Sequence, residues 1–253
     1  MVKHLSRAYM SSGQTDKKGI RMTQPHLRLA SYNLQKCVGL DMRRRPDRAL
    51  RVISKLDADI VVLQEADKRL APRPAALPRA MAEEAGWQVL RFEGRAISLG
   101  FHGNAMLYAP HVKLLSCARI DLPGLEPRGA IRAEFDTPIG PLRIIGTHLG
   151  LIRRYRLFQL QAIMTHLRRQ PKMATALAGD FNEWGSPRAL DAATHGLDII
   201  DMPASFPAPR PVASLDRFAL SAELRALKTG RHTAQPAHIA SDHLPVWADI
   251  TRH

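Results

Sequence analysis

Five short apolar runs in this chain end in, or carry near their ends, a polar side chain that a hydrophobic core would reject. That pattern restricts the fold more than any other feature of the sequence. Residues 27–33 (LRLASYN) alternate apolar and polar positions, the period of a strand, and close on Asn33. Residues 59–65 (DIVVLQE) form the continuous apolar run of a buried strand and close on Glu65. Residues 141–148 (PLRIIGTH) close on His148, and residues 173–180 (MATALAGD) close on Asp180 with Asn182 just beyond. Residues 213–220 (ASLDRFAL) carry Asp216. A sixth element, Ser241-Asp242-His243, opens directly into the apolar run 245–250 (PVWADI). If these strands share one or two packed sheets, their ends converge at one edge, where α/β proteins place their sites. One carboxylate at a strand end means little, because Asp and Glu commonly leave strands into loops. An amide, an acid, a histidine, an Asp-x-Asn and an Asp-His, each against an apolar strand, are hard to explain as surface decoration.

The rest of the chain reads as further strands and helices. Residues 46–56 have helical spacing, with Leu50, Ile53 and Leu56 on one face, and residues 77–85 read as a helix ended by Gly86. Residues 87–92, 104–108, 112–120 and 129–135 read as strands. Residues 152–169 form a long helix with Leu157, Leu160, Met164 and Leu167 as its buried stripe, and residues 186–196 are helical. The Pro-rich segment 203–211 reads as a rigid surface loop. With no internal repeat and no Gly/Ser linker, the expectation is one α/β domain over residues 26–253, preceded by a disordered leader over residues 1–25. The leader lacks the apolar segment of a secretory signal, and Met22 is an alternative start. No apolar run approaches the ~20 residues of a membrane span. Cys37 and Cys117 make neither a disulfide framework nor a metal cluster. Reduced thiols in a cytoplasmic, monomeric protein are the expectation.

Charge narrows the partners. The net charge is +14, of which the leader holds +4 and the remaining chain +10. A surplus of that size favours polyanions: nucleic acid, anionic lipid headgroups or phosphorylated small molecules. The basic residues form no single long block, so the charge supports a reading without carrying one.

In order, SYNLQ (31–35), LQE (63–65), HGNAML (102–107), THL (147–149), GDFN (179–182), SLDRF (214–218) and SDHLPV (241–246) resemble the endonuclease/exonuclease/phosphatase superfamily of metal-dependent phosphoesterases. The resemblance covers nearly the whole chain after the leader, with GDFN and SDHLPV its most specific motifs. It implies a DNase I-like fold, a four-layer α/β sandwich of two packed mixed β-sheets flanked by helices. It also implies roles. Glu65 is expected as the main Mg²⁺ ligand, with Mn²⁺ as the alternative ion and with Asn33 and Asp242 in or near the metal shell, a hard-oxygen set that suits Mg²⁺. Asp180 is expected to orient or deprotonate the attacking water, with Asn182 helping to position it. His243 is expected on the scissile phosphate, held by Asp216, and His148 on a phosphate oxygen or the leaving group. Arg128 and Asn104 are expected at the substrate phosphate; a surface arginine and an amide capping a turn are the structural alternatives.

Three substrate readings compete. A phosphodiesterase on nucleic acid fits the basic charge, with Arg153, Arg154 and Arg156 lining the cleft or forming a solvated helix turn. A phosphodiesterase or phosphatase on a phospholipid or inositol-type headgroup would use 205–211 and 95–101 as rims against an anionic membrane. A non-catalytic binding protein is opposed by the presence of every acid and histidine the motifs require.

Overall fold

The computed structural model describes residues 24–68, 73–94, 97–186 and 190–253. The leader lies outside these residues up to position 23, as do positions 95–96 of the expected rim and 187–189 of the expected helix 186–196. Among the described residues the chain runs β1 (Leu27–Asn33), α1 (Pro46–Ser54), β2 (Ile60–Gln64), α2 (Arg79–Glu84), β3 (Gln88–Val89), β4 (Ala105–Tyr108), β5 (Lys113–Leu122), β6 (Arg128–Asp136) and β7 (Leu142–His148). It continues through α3 (Arg153–Arg168), β8 (Thr175–Asp180), β9 (Leu197–Ile199), β10 (Asp216–Ser221), β11 (Leu224–Arg231), α4 (Ala237–Ala240) and β12 (Val246–Arg252).

Two six-stranded mixed sheets result, ordered β11-β12-β1-β2-β4-β3 and β5-β6-β7-β8-β10-β9. Their inner faces meet in a core that includes Leu29, Val62, Ile131, Ile144, Phe218 and Ala248. A second cluster packs α1, α2 and α4 on the outer face of the first sheet through Tyr32, Leu50, Ile53 and Val61. A third packs α3 on the outer face of the second sheet through Ile145, Leu160, Ile163 and Leu177. The four layers are therefore helix, sheet, sheet, helix. The central strands are buried on both faces, which is why β2 reads as an unbroken apolar run.

Register positions the strand ends. In the second sheet β7 runs parallel to β8 with His148 beside Asp180, and β10 runs antiparallel to β8 with Asp216 beside Asp180. In the first sheet β1 runs parallel to β2 with Asn33 beside Gln64, so Glu65 leaves the strand one step further on. Both parallel pairs sit at the centres of their sheets. At Gly146 of β7 an added Cβ would stand 2.8 Å from Val62 Cγ1 of the other sheet. Gly179, one residue before Asp180, has φ +149°, and a Cβ there would meet Thr147 O at 1.9 Å. The obstacle is backbone of the neighbouring strand and cannot rotate away. Gly179→Ala is therefore expected to cost more than about 3 kcal/mol of stability, seen as a lowered denaturation midpoint; an unchanged midpoint would contradict this packing.

Several expected elements are corrected. The expected helix over 77–85 begins at Arg79, after Pro78, and the strand over 87–92 shrinks to β3. The described part of 186–196 holds only a 3-10 turn, Asp191–Ala193, followed by the unexpected β9. β11 was not expected either. It is a half-exposed edge strand carrying Arg225, Lys228 and Arg231, so it lacks the apolar alternation that marks a core strand. The stripe of α3 differs as well. Leu160 and Met164 are buried as expected, but the helix also buries Arg156 and Gln159, while Leu157 and Leu167 are only partly covered. Those two polar side chains bind the loops beside the site described below.

Candidate active site

Asp180 is the centre of a polar cluster at the edge where the two parallel strand pairs end. Its carboxylate is buried and held from three sides. Asn33 Nδ2 donates to Oδ2 at 3.1 Å, the Asn182 N–H donates to Oδ1 at 2.9 Å, and His148 Nε2 lies 3.4 Å from Oδ2. Asn182, itself in a left-handed conformation with φ +51°, spends its side chain on Leu149 O at 2.9 Å and ties the GDFN turn to the strand end carrying His148. His243 reaches the same carboxylate from the other sheet, with Nε2 3.8 Å from Asp180 Oδ2. Its Nδ1–H donates to Asp216 Oδ2 at 2.8 Å, which fixes the tautomer because a carboxylate only accepts. Ser205 Oγ donates to that same Asp216 oxygen at 2.5 Å.

The environment drives the two histidines in opposite directions. Burial holds His148 well below the ordinary imidazole range, and the positive charges of Arg128, His243 and Lys36 lower it further. Burial also opposes the charged form of His243. There the charge and hydrogen bond of Asp216, with the charges of Asp180 and Asp242, outweigh it and raise the pKa to about 9. One site thus holds a neutral imidazole and an imidazolium. Burial, and then the negative charge of Asp216, raise the Asp180 carboxyl above the usual carboxylate range, partly countered by His243. Titratable neighbours whose environments push them apart are the arrangement acid–base chemistry uses.

Glu65 and Asp242 supply a second acidic pair. Burial raises Asp242, His243 lowers it, and the negative charge of Glu65 raises it again, so the two carboxylates feel one another. Lys36 forms an ion pair with Glu65, standing as a cation on that carboxylate. Gln35 Oε1 accepts the Asp242 N–H at 3.1 Å, and Ser241 Oγ donates to Asn33 O at 2.7 Å while accepting the His243 N–H at 3.2 Å. Asn33, expected in the metal shell, spends its amide on Asp180 and on the Gln35 N–H, the latter at 3.0 Å. No three His, Cys, Asp or Glu side chains gather as a ligand cluster among the described residues. Glu65, already drawing a cation, and Asp242, close enough to feel its charge, are nonetheless a donor set that fits Mg²⁺, which takes one or two carboxylates and keeps its waters.

Beside these groups opens a cleft of about 560 Å³ lined by Lys36, Glu65, Lys68, Arg73, Arg128 and His148 among others. Arg128 faces it, paired with Glu126 at 2.7 Å. Asn104 does not: it is fully buried, and its amide donates to Gly129 O at 2.8 Å and Phe101 O at 3.3 Å, holding the turn that abuts Glu65. The three arginines of α3 separate. Arg156 is buried, donating to Leu151 O at 2.6 Å and pairing with Glu183 at 2.9 Å, so it clamps the loop after His148 to the loop after Asn182. Arg153 is exposed near the same Glu183, and Arg154 stacks on Phe158.

Sequence reasoning gave no site role to Gln35, Lys36, Ser205, Trp184 or Phe206, although Gln35 lies in the SYNLQ motif and 205–211 was expected as a membrane-facing rim. The segment 203–211, expected as a surface loop, instead turns Ser205 and Phe206 into the site. Phe206 packs on His243 with ring centroids 4.9 Å apart, and Trp184, 65% exposed, packs edge-on against Phe206 at 5.7 Å. Lys36 follows the SYNLQ motif directly; adjacency to Asn33 was the available signal.

The fold has known counterparts. Solved structures similar to the chain include the endonuclease/exonuclease/phosphatase from Bacteroides vulgatus, 17% identical, with a TM-score of 0.72 and coverage of 91% of this chain and 100% of that one. They also include D. rerio TDP2 complexed with a single-strand DNA product, 17% identical, TM-score 0.67, covering 89% and 99%. The mannosyl-6-phosphatase of Bacteroides thetaiotaomicron is 19% identical, TM-score 0.68, covering 89% and 99%. At these identities the likeness speaks for the fold. No curated protein matches the chain in sequence. The Endonuclease/Exonuclease/phosphatase family profile matches residues 30–243, from β1 to His243, and on that match the chain belongs to the endonuclease/exonuclease/phosphatase family of phosphoester hydrolases.

Proposed function

We propose that the protein is a Mg²⁺-dependent phosphodiesterase acting on nucleic acid. Asp180 takes a proton from a water as the water oxygen attacks phosphorus, the ester bond opposite breaks, and the leaving oxygen departs with the electron pair. Asn33 and Asn182 hold the Asp180 carboxylate in one orientation for that transfer. The His243 imidazolium, fixed by Asp216 and Ser205, offsets charge on the phosphoryl oxygens, and neutral His148 supplies a hydrogen bond to a phosphate oxygen or to the leaving group. Mg²⁺, held by Glu65 and Asp242 with Asn33 beside them, would neutralise phosphate charge when bound. Arg128 and its basic neighbours along the cleft draw in the anion.

The observation that carries the nucleic-acid reading is the aromatic pair Trp184–Phe206, which leads from solvent to His243. The exposed aromatic face of Trp184, backed by Phe206, is a stacking platform for unpaired bases. The single-strand DNA product of the similarly folded TDP2 supports the same direction. A second reading, a phospholipid or inositol-type headgroup, is favoured by Leu125, Leu151 and Ile152, exposed at 78%, 65% and 54% on a lip adjoining the cleft. No helix among the described residues is long and apolar enough to cross a membrane, so contact with a bilayer would be peripheral.

The test is hydrolysis of bis-p-nitrophenyl phosphate and p-nitrophenyl phosphate with Mg²⁺ or Mn²⁺ and with EDTA, followed by single-stranded oligonucleotide and anionic phospholipid vesicles. Diester cleavage that EDTA abolishes, with the oligonucleotide cut and the vesicles intact, is the expected result. Preference for the monoester, or cleavage of lipid alone, replaces the reading.

A further inference from the structure

Lys36 occupies an unusual stretch of backbone. Gln35, Lys36 and Cys37 have φ of +46°, +57° and +57°, and Glu65 opposite has +49°. Left-handed conformations in non-glycine residues cost of order 1–3 kcal/mol each and persist only where the surroundings enforce them. Here they are enforced. The Lys36 N–H donates to Glu65 O at 3.1 Å, the Cys37 N–H to Leu34 O at 2.7 Å, and Arg44 Nε to Lys36 O at 3.2 Å. This bracing sets the ammonium on the Glu65 carboxylate, at the mouth of the cleft, with the two side chains 30% and 26% exposed. Asp242 stands close enough to Glu65 to feel its charge. Partial exposure leaves the pair able to part.

We propose that Lys36 is an exchangeable cation: it holds Glu65 while no divalent ion is bound, and on metal loading its ammonium moves to the phosphoryl oxygens of the anion in the cleft. The inference rests on the reading of Glu65 and Asp242 as metal ligands. A divalent ion at Glu65 places two positive charges within a few ångströms of the ammonium, a repulsion strong enough to eject it from a carboxylate it shares. A lysine stem is flexible and its three donors suit phosphate oxygens from many directions, and the 560 Å³ cleft gives it room. An arginine would behave differently, because its planar fork grips a carboxylate at two points and gives it up reluctantly.

The experiment is calorimetric titration of the full chain with Mg²⁺ alone, then with inorganic phosphate in the presence of Mg²⁺. Removing the competing ammonium in Lys36→Met is expected to tighten Mg²⁺ binding roughly threefold to tenfold, the range set by a partly exposed ion pair. The same variant is expected to bind phosphate about tenfold more weakly, while Lys36→Arg weakens Mg²⁺ binding. Opposite signs for metal and anion separate exchange from a merely structural role. Unchanged or weakened Mg²⁺ binding in Lys36→Met overturns the proposal, as does unchanged phosphate binding. Lys36→Gln, which keeps a polar terminus without the charge, repeats the measurement should the Met variant fold poorly. A wild-type protein that binds no Mg²⁺ overturns both this inference and the metal reading. A wild-type enzyme that binds Mg²⁺ and cleaves diesters, with Lys36→Met unaltered in metal affinity, overturns the exchange alone.

Discussion

Asp180→Asn is expected to lower kcat by about 10³-fold or more while leaving the protein folded. The substitution is nearly isosteric and uncharged, so the buried strand end keeps its volume. It takes away the group proposed to accept a proton from water, and positioned general bases are worth roughly 10²–10⁴ in rate. It also disturbs orientation. Asp180 accepts from Asn33 on one oxygen and from the Asn182 N–H on the other, and an amide can accept at only one of them. KM should move little, because the cleft cations and Trp184 proposed to meet substrate are untouched. Circular dichroism and the melting temperature, measured beside steady-state diester hydrolysis, make the comparison. A variant within tenfold of wild type would remove Asp180 from the role of base and require another acceptor for the water proton.

The polar strand ends were legible because each is a local violation: a side chain that water would prefer, placed where an apolar run says core. Asn33, His148, Asp180 and Asp216 break that rule within their own strands, and register then sets His148 and Asp216 on either side of Asp180. Glu65 and Asp242 were legible for the same reason, since each flanks a buried strand. What was not legible depends on loops. Ser205 and Phe206 lie in a Pro-rich segment that carries no periodicity, and only the closure of the chain over His243 shows that they belong to the site. Lys36 needed a backbone conformation that residue type does not announce. Arg156 was visible as a charge on a helix, and its burial against Glu183 could not be read, because burying a charge depends on a partner distant in sequence. Edge strand β11 was missed because its charged residues, which protect an exposed edge from unwanted pairing, resemble loop composition.

The second large effect is expected at His243. His243→Ala removes the imidazolium that stands over the Asp180 carboxylate, and kcat/KM should fall by about 10²–10³-fold, the usual loss when one preorganised donor to a developing oxyanion is deleted. The sharper measurement is the pH profile of Asp216→Asn. In the wild type the His243 pKa lies at about 9, against the opposition of burial, because Asp216 supplies both a charge and a hydrogen bond. The charged form therefore dominates at neutral pH and is lost as pH rises through that value, which, on the proposed role, sets the alkaline limb of activity. An asparagine keeps a hydrogen-bond acceptor but no charge. Burial and the reduced support then pull the His243 pKa down, and the alkaline limb should move to lower pH. On the proposed role the acid limb belongs to Asp180, which must be ionised to accept a proton and whose pKa burial and Asp216 hold up. Removing the Asp216 charge lowers that pKa too, so the acid limb should also shift to lower pH. Two limbs moving the same way from one substitution distinguish electrostatic coupling through Asp216 from simple damage to the site, which lowers the plateau and leaves both limbs in place.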